Sequence, residues 1–396
     1  MITNAQLFSP LTLPCGVTLK NRLAKSAMSD SLGDGCGNPT SKQIRLYERW
    51  AEGGAALSII GEVQGDPYAA EKPGNLVLGL QSDDSLLREL TQRGAQNGGL
   101  LFAQLGHAGA MTHPPIGTPK GPSALSLPSL TCAALTAGEI QHLPAQFART
   151  ALHAKTVGFG GVQIHAAHGF LLSQFLSPLF NKRTDGYGGS LANRARLLLE
   201  VIATVCDAVG PAFPVILKLN ATDQLDGGFT ETDALAVIAM LDTSSLDLID
   251  ISGGTYFPGA KSASDSTGNG PYFAAFAKAA RAQTTIPLML TGGIKTKEQA
   301  VALLETGTAD MIGLARAFIL DPSLPTTWHD GGAPPPFPRF SNPPEGGITA
   351  WYTQQIARIG QDTPIDLHAD LNEAIRAYNA RDDARTALWN AHFSKP

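Results

Sequence analysis

Eight short apolar runs, each leading into a stretch with helical spacing, constrain this chain more than any other feature. The runs are Leu23–Met28, Ala55–Gly61, Leu100–Gly106, Gly161–Ile164, Pro214–Leu219, Leu246–Ser252, Ile286–Leu290 and Met311–Leu314. Short apolar runs bounded by turn residues read as strands buried on both faces, which occur in parallel sheets covered by helices. Between them the spacing predicts helices from the Thr40 cap to Ala51, from the Ser82 cap to Gln96, and over Leu143–Val157, Leu191–Ala208, Glu231–Leu241, Phe273–Arg281 and Lys297–Glu305. Eight such units close into an α/β fold of the (β/α)8 TIM-barrel type. An open doubly wound sheet also fits, because strand order is not written in the sequence. The first twenty residues, with Pro10, Pro14 and Gly16, read as a turn-rich lid under the barrel. Past Asp321 the pattern changes. A Pro- and Gly-dense stretch, Gly331–Gly347, precedes two further helical segments, Trp351–Ile359 and Leu367–Trp389. The expected division is therefore a barrel over residues 1–330 and a helical C-terminal extension over 331–396, packed on the barrel or on a partner subunit.

Composition narrows the function. Hydrophobic residues make up 43% of the 396 and charged residues 16%, enough apolar material for one large core. The net charge of −5 comes without any basic block, so nucleic acid is not an expected partner. No apolar run approaches the roughly 20 residues a membrane helix needs, so no membrane partner is expected either. Met1-Ile2-Thr3-Asn4 carries no basic region followed by an apolar core, so no secretory leader is expected, and Cys15, Cys36, Cys132 and Cys206 are scattered with no C-x-x-C. Free thiols and a cytoplasmic location are the expectation.

The chemistry gathers at the carboxyl ends of the runs, where barrels bind ligands. His165 and His168 end the fourth run, Gln104 the third, Lys218 the fifth, and Met28-Ser29 follow the first. A metal site would need more carboxylates than Glu62 alone provides among the run ends, so none is expected. The pair H-x-x-H by itself is also compatible with two structural histidines. Together, an amide, a cation and two imidazoles could grip a flat polar heterocycle and steady a substrate oxyanion. Lys218 equally permits a Schiff base, as in barrel aldolases, or plain pairing with a carboxylate. Thr291-Gly292-Gly293 and Gly313-Leu314-Ala315-Arg316 end the last two runs. Each is a small-residue loop opening a helix, a pattern that offers backbone N–H groups to a phosphate, with Arg316 adding charge.

The run His165-Ala166-Ala167-His168-Gly169, with Leu172-Ser173-Gln174-Phe175-Leu176-Ser177-Pro178, Asn181, Arg183, Asp185, Tyr187-Gly188-Gly189-Ser190 and Asn193-Arg194, resembles the old yellow enzyme family of FMN-dependent NADH:flavin oxidoreductases and ene-reductases. Supporting matches are Leu19-Lys20-Asn21-Arg22, Ala27-Met28, Gln104-Leu105, Lys218-Leu219-Asn220 and Ile251-Ser252-Gly253-Gly254. The resemblance spans about Leu7 to Pro322 and favours the branch without an iron–sulfur module. It implies FMN as cofactor and NADPH or NADH as reductant. It places Ser26, Ala27, Met28 and Ser29 along the isoalloxazine, Gly61 behind it, Gln104 at its pyrimidine edge and Lys218 near N1 and O2. Gly292, Gly293, Ala315 and Arg316 would hold the phosphate. His165 and His168 would donate to the carbonyl oxygen of an enone or quinone, with Phe170 beside it, and a homo-oligomer is compatible with the extension.

One departure stands out. The family usually carries a tyrosine two residues after the second histidine, where it protonates the α-carbon of the substrate. Here that residue is Phe170, and Ser29-Asp30-Ser31-Leu32 brings no tyrosine either. Either water or another residue supplies the proton, or the enzyme favours acceptors that need none, such as quinones, nitro compounds, free flavin or oxygen. The nicotinamide preference would reside in loops such as Thr112–Ala133 and Tyr256–Asn269.

Overall fold

The computed structural model describes residues 5–127, 130–257, 270–333 and 335–394. Eight parallel strands form its centre: β1 (Leu23–Met28), β2 (Leu57–Gln64), β3 (Leu100–Gly106), β4 (Gly161–Ala166), β5 (Val215–Asn220), β6 (Leu248–Ser252), β7 (Leu288–Thr291) and β8 (Met311–Leu314). Each pairs with its neighbour in chain order, and β8 pairs with β1 through Ile312↔Leu23 and Gly313↔Ala24. That last pairing closes the sheet and excludes the open doubly wound alternative.

Strand parity separates the two faces. Leu217 and Leu219 of β5, and Ile249 and Ile251 of β6, belong to the large core between sheet and helices. Their neighbours Ile216 and Leu248 point inward and meet Ala24, Leu57, Ile59, Phe102, Met289 and Met311 in a second cluster. This apolar plug fills the lower half of the barrel. A short antiparallel hairpin, Leu11–Thr12 with Leu19–Thr18, closes it from below through Leu11, Leu13 and Leu19. The expected lid is thus present.

The helices follow the predicted order, with shifted ends and added short helices. Helix α1 (Ser41–Glu52) starts at the Thr40 cap as expected. Helix α2 (Asp84–Gly94) is capped by Asp83, which accepts from the amides of Ser85 and Leu86. Ser82 instead donates to the Val77 carbonyl at 2.6 Å and serves the preceding turn. Helix α3 (Ala137–Thr156) begins six residues before the expected Leu143, because Thr136 and Glu139 form a reciprocal capping box; Pro144 lies inside it. The long connection after β4 contains an unforeseen short helix, α4 (Leu171–Leu176), before α5 (Leu191–Val209). Next come α6 (Glu231–Leu241), α7 (Ala274–Ala280), α8 (Lys297–Glu305), α9 (Arg316–Leu320) and α10 (Leu324–His329).

The extension forms α11 (Gly347–Ile359) and α12 (Leu371–His392). Helix α12 lies against loops that follow β1, β2 and β3. Arg385 donates to the Ser31 carbonyl at 2.6 Å, and Trp389 and Phe393 pack with Ala70, Val77 and Ile116. Trp351 and Trp389 of the extension are both fully buried within this chain.

Candidate active site

Above the apolar plug the inward positions turn polar, and they bond to one another. Ser26 on β1 meets Thr291 on β7 at 2.9 Å, and Thr291 donates to Asp250 on β6 at 2.6 Å. The second carboxylate oxygen of Asp250 accepts from Lys218 on β5 at 2.5 Å and from Gln163 on β4 at 3.1 Å. Gln163 accepts from Gln104 on β3 at 2.8 Å, and the Gln104 carbonyl oxygen accepts from the Glu62 amide on β2 at 3.3 Å. A continuous belt therefore crosses seven strands, with Asp250 as its hub. Asp250 and Lys218 are almost wholly buried, so their charges depend on each other. Lys218 takes the carboxylate pairing that the sequence left open. Gln104 keeps one N–H and one lone pair for a ligand.

The histidines stand at the top of β4. His165 accepts from the Ala167 amide through Nδ1 at 3.4 Å, which leaves Nε2 as its N–H donor. His168 has φ +61°, a left-handed conformation that costs on the order of 1 kcal/mol or more for a non-glycine residue. Several contacts hold it there. Its amide donates to Asn220 at 3.1 Å, and its carbonyl accepts from the Tyr256 amide at 3.1 Å. Its Nε2 is 2.9 Å from the Ser252 hydroxyl. We assign the Ser252 hydroxyl as the donor in this bond, which leaves the proton of His168 on Nδ1. Burial, then the neighbouring His168 and Lys218, holds the His165 pKa well below its ordinary value. Burial, then Lys218, lowers that of His168 to about 3. Both rings are neutral donors at physiological pH.

The two imidazoles, with ring centres 5.3 Å apart, are joined by Phe170, 4.8 Å from His165, and by Tyr256, 5.6 Å from His168 and 6.1 Å from Phe170. Tyr256 comes from the loop after β6. The sequence reading placed it only in a nicotinamide-selectivity loop, most of which, residues 258–269, lies outside the described residues, as do 128 and 129 of the other loop.

The remaining expected positions line the same mouth. Ser26 is fully buried, and Ala27, Met28 and Ser29 rise half-buried from the end of β1. Gly61 packs against that end, where an added Cβ would lie 2.4 Å from the Met28 carbonyl carbon. Gly292 and Gly293 have φ of +121° and +77°, open to glycine and strained for other residues. With Ala315 and Arg316 they border a cavity of about 530 Å³. Helix α8 begins only at Lys297, and Thr296 and Gln299 already close its first turn. The glycine loop itself, not that helix end, is what faces the cavity. The extension adds Arg339 and Tyr352 to the lining, and the Arg316 guanidinium stacks 5.0 Å over the Tyr352 ring. Among the described residues Arg316 has no carboxylate partner. A cationic cavity beside a polar barrel mouth fits a phosphate-tailed heterocycle such as FMN.

The NADH:flavin oxidoreductase / NADH oxidase family matches residues 6–333 of this sequence. The chain belongs to that family. Its relatives there include the NADPH dehydrogenase of Halalkalibacterium halodurans, 35% identical over 331 residues that cover 81% of this chain and 93% of that protein. The NADH-dependent flavin oxidoreductase iliE of Hypocrea jecorina is 33% identical, over 80% of this chain and 87% of its own. Among solved structures, morphinone reductase in complex with tetrahydroNAD superposes with a TM-score of 0.72 at 27% identity, over 84% of this chain and 92% of that one. Some family members are longer: the chain spans 46% of the iliE protein of Neonectria sp.. Among the described residues of this NADH:flavin oxidoreductase family member, no helix is long and apolar enough to cross a membrane.

Proposed function

We propose that the protein is an FMN-dependent oxidoreductase that takes hydride from NADH or NADPH and passes it to a small activated alkene or a quinone, acting in the cytoplasm. The observation that carries this reading is the pair of neutral imidazoles set above the Lys218–Asp250 belt. FMN, when bound, supplies the two-electron chemistry. The protein's own part is electrostatic. Lys218 would hold a cation toward the bound flavin and favour its reduced form. Gln104 offers an amide to the ring edge, and Gly292, Gly293, Ala315 and Arg316 receive the phosphate. Ser26, Ala27, Met28, Ser29 and Gly61 form the wall beside the ring. His165 and His168 donate to the substrate carbonyl oxygen and stabilise the enolate formed as hydride arrives at the β-carbon. Residues 1–330 would form the FMN-binding barrel and 331–396 an extension that completes its mouth.

Purified protein is expected to be yellow, with bound FMN and NAD(P)H oxidation that accelerates on adding 2-cyclohexenone or a benzoquinone. A colourless protein that takes up no added FMN would sink the proposal. Arg316→Ala should weaken FMN binding roughly 10- to 100-fold, the worth of charge-assisted contacts to a phosphate. Fluorescence titration of FMN into apoprotein measures this, and unchanged affinity would remove Arg316 from the site.

A further inference from the structure

We infer that Tyr256 is the catalytic acid that protonates the substrate's α-carbon in this protein. The inference rests on the flavin-oxidoreductase reading above and goes beyond it. His165, His168, Tyr256 and Phe170 form a closed ring of four side chains, each within 6.1 Å of the next. Two of these rings carry N–H donors suited to an oxygen, and Phe170 carries no transferable proton. The only hydroxyl in the set is that of Tyr256.

Its placement is fixed by the backbone. Tyr256 donates its amide to the His168 carbonyl at 3.1 Å, and Thr255 forms a parallel bridge with His168. Asn220 holds the Gly254 carbonyl at 2.8 Å. On the other side Phe257 is buried and stacks on Phe180 at 3.9 Å. Between buried Thr255 and buried Phe257, Tyr256 is 63% exposed. An exposed aromatic ring held on both sides at the same strand end as the oxyanion donors is a group presented to a ligand, not a packing residue. Although the residue's surface is open, its hydroxyl lies deep among protein atoms. Burial first, then Glu62 and Glu71 from the β2 side, push its pKa up to about 12, with Arg316 from β8 acting the other way, so the phenol holds its proton. The ring contacts with His168 and Phe170 keep the phenol beside the oxyanion donors.

Hydride delivered to the β-carbon leaves an enolate whose oxygen is held by the two imidazoles. The α-carbon then takes the phenol proton, so the Tyr256 O–H bond breaks, a C–H bond forms and the carbonyl is restored. Water at the exposed ring returns a proton to the phenolate. A quinone, whose hydroquinone product is protonated on oxygen, does not need this acid.

The test compares turnover with 2-cyclohexenone and with a benzoquinone in FMN-loaded protein. In Tyr256→Phe the enone-to-quinone ratio is expected to fall about 100-fold, in the range of lost general-acid catalysis. Adding Phe170→Tyr to that variant should recover most of the ratio, by supplying a phenol from the neighbouring corner of the ring. A fall of tenfold or more with recovery supports Tyr256 as the acid. A smaller fall, or no recovery, overturns it. Should the wild type be yellow and reduce the quinone but leave the enone untouched, the inference about Tyr256 fails while the flavin-oxidoreductase reading stands. A protein that binds no FMN fails the latter.

Discussion

Enone saturation is expected to fall about 10²- to 10³-fold when His165 is replaced by alanine, the cost of deleting one donor from an oxyanion site. His165 has its Nδ1 engaged by the Ala167 amide, so its Nε2–H is aimed by the backbone and needs no reorganisation to donate. His168→Ala should cost a similar amount, and the double variant less than the sum, because both rings serve one oxygen. Single-turnover reoxidation of the reduced enzyme by 2-cyclohexenone reads this directly. Equal rates in His165→Ala and wild type would show that the imidazole does not touch the reacting carbonyl. The pH dependence follows from the same burial. His168 titrates at about 3, so neither imidazole should place an inflection between about pH 5 and 8, where both are neutral. The sign for stability runs the other way from a salt-bridged histidine. The unfolded chain takes up protons near pH 6.5 and the native His168 only near 3, so this contribution to stability is whole above 6.5 and lost as the pH falls toward 3. Chemical denaturation at pH 7 and pH 5 checks this, and greater stability at pH 5 would refute it.

The second large effect is on stability. Asp250→Ala should destabilise the protein by about 3–5 kcal/mol, because it strands the buried Lys218 ammonium without its partner. It also removes the acceptor for Gln163 and Thr291, the links by which β4 and β7 join the belt. For a chain of this size that corresponds to a drop of roughly 5 °C in melting temperature. Replacing both partners, as Asp250→Leu with Lys218→Met, should recover much of that loss while abolishing the cation offered to FMN. Calorimetry of the three proteins decides it. A single Asp250→Ala variant that melts with the wild type would mean that the charge pair has no structural weight.

The barrel was legible because buried parallel strands are short apolar runs with turn residues at both ends, and all eight occur where the sequence puts them. Closure was not, since pairing between β8 and β1 joins segments nearly 300 residues apart and depends on shear, which no local pattern encodes. The belt was half legible. Ser26, Gln104, Lys218 and Thr291 were read as strand-end positions, but Gln163 and Asp250 are polar residues inside runs read only as buried strands. Parity would have shown them: Leu248, Asp250 and Ser252 share one face of β6, and Ile249 and Ile251 the other. The early start of α3 was signalled by T-x-x-E at Thr136–Glu139, a capping pattern that the apolar spacing from Leu143 onward does not include. Tyr256 was out of reach because its role comes from a backbone bridge between the β4 and β6 ends, a contact across 88 positions. The two arginines of the phosphate cavity divide in the same way. Arg316 follows its strand, whereas Arg339 arrives from the extension.

The belt also divides the barrel into an apolar lower compartment and an upper one walled by strand ends and loops. For anyone wishing to redirect this catalyst, that division sorts the positions in advance. Libraries confined to Phe170, Tyr256 and the segments after β3 and β6 would explore new acceptors without disturbing the apolar plug, whereas variation at Asp250 would couple every gain in selectivity to a loss of thermal tolerance.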